Sequence, residues 1–141
     1  MEKRFGENFE DDVKINKLNL DDECEIQSEM YYYYARLLGE KKTERDQVRA
    51  KTELAIRLNP EKHIAVGAKL TEGYIEAIIK GDDALSALDQ EVRLLEAAVD
   101  ALEHRRSELK NLVDLFLSKY YSAPDATSDG SRDQRKKLNN R

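Results

Sequence analysis

The chain has no tryptophan, one cysteine, two prolines and six glycines among its 141 residues. A lone Cys24 excludes an internal disulfide and any multi-cysteine metal site, and reads as a free thiol in a reducing cytoplasm. So few turn-formers leave little room for hairpins or for a glycine-rich phosphate loop. No apolar run approaches the length of a membrane span. The opening MEKRFGENFEDD has no apolar core of the secretory kind, so a soluble cytoplasmic protein without membrane contact is expected. What is abundant is charge, 38% of residues against 7% aromatic, with Ala, Leu, Glu, Lys and Arg dominant. That is the composition of long paired helices.

Catalytic side chains are scarce in any useful arrangement. His63 and His104 are the two histidines, too few for a metal cluster or a convincing nucleophilic triad. Glu103-His104 has no second histidine at ligand spacing, so there is no zinc-protease motif. The reading is a non-enzyme that needs neither cofactor nor metal.

The net charge of −5 is unevenly spread. Residues 2–30 hold ten acidic and four basic groups, and residues 31–62 reverse the balance with eight basic and five acidic. Residues 63–100 return to acidity with eight acidic and three basic, while 101–124 are net +1 and 125–141 net +2. Such blocks point to a charged partner or to charge-matched self-association.

The apolar periodicity predicts an all-α fold: two long helices in a coiled-coil-like hairpin, a short helix between them, and oligomerisation. Residues 1–20 read as a flexible acidic arm and 122–141 as a disordered polar and basic tail. Between them lies a helical domain over 21–121. The first helix, about 22–58, carries a heptad column at Met30, Tyr34, Leu37, Lys41, Glu44, Val48, Lys51, Ala55 and Leu58. Asn59-Pro60 ends it, because the residue before proline is pushed out of the α region. Thr71 can cap a short helix over about 71–80 with Leu70, Tyr74, Ile75, Ile78 and Ile79 on one face, and Gly81 stops it. Asp82 or Asp83 then caps a helix over about 83–121. Leu85, Leu88, Val92, Leu95, Val99, Leu102, Arg106, Leu109, Val113, Phe116 and Tyr120 recur on it at three and four. Only Arg106 interrupts that seam, and a glutamate across the helix pair is its expected partner. The best interface candidates for a homo-oligomer are Tyr31, Tyr34, Leu95, Leu102, Leu109 and Phe116.

Seven cations crowd one stretch: Lys41, Lys42, Arg45, Arg49, Lys51, Arg57 and Lys62. At 100° per residue Lys42, Arg45 and Arg49 share a face flanking the seam. A row of cations can follow a phosphate backbone, and repetition around an oligomer multiplies its field. An ordinary salt-bridged helix is the competing reading, since Glu40, Glu44, Asp46 and Glu53 lie in the same stretch. The run Tyr31–Tyr34 faces all sides of a helix. Rings left outside the core suit an oligomer interface, or stacking on unpaired bases.

The segments EMYYYYARLLGEKK, KKTERDQVRAKTELAIRL, KLTEGYIEAII and ALEHRRSELKNLVDLFLSKYYS, over about residues 15–122, resemble the UvsY-like recombination mediators of tailed phages. The resemblance implies a small helical bacteriophage protein, acting in the host cytoplasm in DNA recombination, repair and replication. It would bind single-stranded DNA as an oligomer. It would also help load a RecA-like recombinase onto DNA coated by single-strand-binding protein, with no nucleotide hydrolysis of its own. The DNA-contacting segment maps onto Lys51 and Arg57, supported by Lys41, Lys42, Arg45 and Arg49. Two other readings stand beside it. One is a coiled-coil scaffold or adaptor that binds only protein, and the other is an acidic inhibitor that mimics DNA.

Overall fold

The computed structural model describes residues 5–65 and 67–122, the last three as backbone only. In chain order the helices are α1 (Phe9–Asp12), α2 (Leu20–Leu58), α3 (Glu72–Lys80) and α4 (Asp83–Ser122), with a 3-10 turn at Pro60–Lys62. No strand occurs among the described residues. The two long helices pack against each other with the short one between them in the chain, the expected all-α hairpin. Residues 1–4 of the arm and 123–141 of the tail lie outside the described residues.

The helix ends follow local chemistry. Asn16 Oδ1 accepts from the Leu18 amide in the turn before α2, and Asp21, Asp22 and Glu23 then place three carboxylates in its positive first turn. Asn59 still donates to the Ala55 carbonyl, but Pro60 has no amide hydrogen and the chain tightens into the 3-10 turn. Thr71 Oγ1 accepts from the Tyr74 amide and starts α3. Gly81 closes α3 at a φ of −83°, so it makes no use of left-handed freedom. Asp82 ends one helix by beginning the next, its carboxylate accepting from the Leu85 amide at 3.0 Å. A left-handed glycine is instead required at Gly67, φ +83°, in the connector before α3.

The chain forms two compact units. One takes the described residues up to Met30 and from Ala101 onward, and the other takes Tyr31–Asp100. In the first, Met30, Leu102 and Leu109 are buried between the start of α2 and the second half of α4. The arm, expected to be flexible, carries the turn α1 and a buried Asp12 that accepts from the Gly6 amide at 2.8 Å. In the second unit Ile56, Ile75, Ile79 and Leu85 form a core cluster, with Val48, Leu70 and Ile78 packed on it. Burying each such side chain fully contributes about 1.5–3 kcal/mol, which is what seats a helix as short as α3.

The buried register corrects the predicted seams. On α4 the column Leu88, Leu95, Leu102 and Leu109 faces inward, and the other column is buried as predicted at Leu85 and Val92 but then steps back one residue, burying Ala98 and Arg105. Arg106 is exposed, and Arg105, 2% exposed, takes its expected place. The glutamate partner does exist. Arg105 donates to Glu23 and to Gln27 Oε1, while Gln27 Nε2 donates to the Leu102 carbonyl at 2.8 Å. On α2 the heptad column walks out into solvent: Glu44, Lys51, Ala55 and Leu58 are exposed, while Arg45 and Thr52 are half-buried and Ile56 fully buried. Tyr34, Arg45 and Ile56 are eleven apart, the spacing of an α-helix near 3.67 residues per turn, in place of the supposed seven-residue repeat.

Candidate nucleic-acid interface

All seven predicted contact cations lie in the unit Tyr31–Asp100. Lys42, Arg45 and Arg49 sit on one flank of α2, as the 100° spacing predicts, and that flank faces carboxylates. Lys42 Nζ is 3.4 Å from Glu96, Arg45 Nη1 3.7 Å from Asp89, and Arg49 Nη2 3.0 Å from Glu76. Lys41 bridges Glu91 at 2.9 Å and Glu44 at 3.1 Å. Arg57 is held between Glu72 at 2.8 Å and Glu53 at 2.9 Å. Partners come from α3 (Glu72, Glu76), from α4 (Asp89, Glu91, Glu96) and from α2 itself.

The electrostatics follow from the contacts. Hydrogen bonds donated to Glu91 first and Glu44 second hold the Lys41 ammonium above its ordinary range. Glu72 and then Glu53 do the same for the Arg57 guanidinium. These are exposed pairs, screened by solvent and individually weak. Such a cation is accessible to any competing anion. Lys51 and Lys62 differ, since among the described residues neither makes an ion pair and both are exposed. The structure does not join Lys51 to the row, because two residues beyond Arg49 it points about 200° around the helix. Lys62 follows the helix end in the 3-10 turn.

The expected oligomer contacts divide. Tyr34, Leu102 and Leu109 are consumed by the chain's own core and present no outer surface. Tyr34 also stacks edge-on with Tyr33, the ring centroids 5.2 Å apart. Tyr31 and Leu95 are half-buried, and Phe116 is 60% exposed. Tyr32, absent from the expectation, is the tyrosine of the run turned furthest to solvent, at 67% exposed.

Sequence reasoning also missed the acidic half of the arrangement. Its signal was the charge block: acidic 63–100 folds back on basic 31–62, so the anticipated charge matching is made within one chain. His63 and His104 are both exposed and lie in different units, and Cys24 is exposed. No helix among the described residues is long and apolar enough to cross a membrane. No family model, curated protein or solved structure matches the chain.

Proposed function

We propose that this chain is an oligomeric recombination mediator that binds single-stranded DNA along α2 and helps load a RecA-like recombinase onto strands coated by single-strand-binding protein. The observation that carries the reading is the accessible cation row Lys42, Arg45 and Arg49, extended by Arg57 and flanked by Lys51 and Lys62, which make no ion pair among the described residues. From Lys42 to Arg57 the row runs about 22 Å at 1.5 Å per residue. That is enough to follow several phosphates of an extended strand. The resemblance to UvsY-like proteins supplies the process, and the row supplies a physical means of taking part in it. Bases can stack on exposed rings such as Tyr32. Association of subunits would use surface that the fold leaves free, including Phe116 with Leu115 and Leu117 on α4.

A protein-only scaffold is the second reading, favoured by the fact that five of the seven cations already hold carboxylates of their own chain. The two readings part in one experiment. Anisotropy of labelled single-stranded DNA is followed through a salt titration, on protein whose mass is fixed by light scattering. A mediator is expected to bind as an oligomer, with log affinity falling against log salt by about 0.7 per neutralised phosphate. Lys42→Gln, Arg45→Gln and Arg49→Gln together should abolish most of that binding. Unchanged affinity in this triple variant would remove the row from the mechanism, and no binding by wild type at low salt would leave the scaffold.

A further inference from the structure

The row proposed to hold phosphates is occupied by the chain itself. Glu76 of α3 and Asp89 and Glu96 of α4 each reach across from another helix onto Arg49, Arg45 and Lys42. Glu72 does the same to Arg57. These are cross-helix contacts, unlike Glu44 to Lys41 and Glu53 to Arg57, which are ordinary neighbours one turn apart on α2. Glu76 and Glu72 stand at hydrogen-bonding distance and Asp89 and Glu96 at ion-pair distance, where phosphate oxygens would have to sit.

Resting on the DNA-binding reading above, we infer that Glu76, Asp89 and Glu96 form an intramolecular clasp that single-stranded DNA must displace, so that α3 and α4 set the affinity of the α2 row. Three features support it. The pairs are solvent-accessible and individually weak, so a polyanion that engages several cations together can open them in sequence. One of the clasping carboxylates, Glu76, rides with Glu72 on a nine-residue helix preceded by a connector with a left-handed glycine, Gly67. The acidic surplus of 63–100 also lies opposite the basic surplus of 31–62, so discrimination applies to the whole row. A weak or singly charged anion gains too little to open the clasp, whereas an extended strand gains a contact at every step. Opening also frees carboxylates that take up cations from solution, so the salt dependence of binding is shallower than the number of phosphates contacted would give.

The test compares wild type with Glu76→Gln, Asp89→Asn, Glu96→Gln, all three together, and with a control of equal charge change, Glu61→Gln, Asp100→Asn, Asp114→Asn. The control carboxylates make no ion pair among the described residues. Glu76→Gln alone serves as a milder variant, and helicity by circular dichroism verifies each fold. The clasp variant should bind a labelled single strand roughly tenfold more tightly than the control at equal salt, with a steeper salt dependence. Glu76→Gln should move part of the way. If wild type binds and the clasp variant is no tighter than the control, the clasp is wrong and the DNA reading survives. If none of the proteins binds at low salt, the DNA reading falls and takes the clasp with it.

Discussion

Replacing Arg105 by methionine would take away the cation seated among Glu23, Gln27 and the carbonyl of Lys14. Burial pulls this guanidinium below its ordinary range, though arginine keeps its proton at any working pH. Its partner Glu23 is 5% exposed, so the variant would strip the Arg105 charge from a carboxylate held in the interior. Breaking a buried pair from one side costs about 3–5 kcal/mol. Gln27 Oε1 loses a donor in the same event, and that loss lies within the figure because the groups share one network. For a chain of this size 1 kcal/mol moves the thermal midpoint by about 3–5 °C, so a fall of about 9–25 °C is expected. The assay is circular dichroism melting at one fixed protein concentration, since self-association makes the midpoint concentration-dependent. Glu23→Leu with Arg105→Met removes both charges and should recover most of the loss. Arg106→Met, one residue along but exposed, should stay within about 0.5 kcal/mol of wild type. The reasoning fails if Arg105→Met costs less than about 1 kcal/mol, or if Arg106→Met costs as much.

Three further outcomes are expected. Ile56→Ala empties the centre of the cluster with Ile75, Ile79 and Leu85 and should cost about 2–5 kcal/mol in urea unfolding. Gly39→Ala should stabilise the protein by about 0.5–1 kcal/mol, because a Cβ there meets nothing within 4 Å inside a long helix; a loss of stability would show that another chain approaches this point. Lys41 binds its proton more tightly folded than unfolded, so its contribution is fully present below the ordinary lysine value of about 10.4 and lost as pH rises through the folded value. The gap in thermal midpoint between wild type and Lys41→Met should therefore hold steady from about pH 6 to 9 and close only as pH rises past the ordinary lysine value of about 10.4. A gap that closes below pH 9 would contradict this.

The helices were legible because their ends are written in single residues. Pro60, the Thr71 cap and the Asp82 cap placed the boundaries within two residues of those observed. The register was harder, for a geometric reason. A heptad column drifts about 20° per repeat on a straight helix, so the column that begins inside at Met30 has turned about 80° by Leu58. That carries Leu58 to the surface, 68% exposed, and brings Ile56 to the core. Arg105 was hidden by the same assumption, since its neighbour Arg106 fitted the sevenfold count. The cations of the candidate site were visible as a cluster. Their partners were not, because Glu76, Asp89, Glu91 and Glu96 lie 27 to 54 residues further along and meet the row only when the hairpin closes.

The buried contacts around Arg105 place unequal constraints on how this sequence can drift. Gln27 grips the main-chain carbonyl of residue 102, an acceptor that every amino acid carries, so Leu102 is free to become any side chain that fills the same space. Glu23 and Arg105 grip each other's side chains and have no such freedom. A lineage that loses one must pass through a destabilised intermediate or replace both. Among diverged copies of this fold, positions 23 and 105 should therefore change together or stay fixed, while position 102 varies among apolar residues independently of position 27.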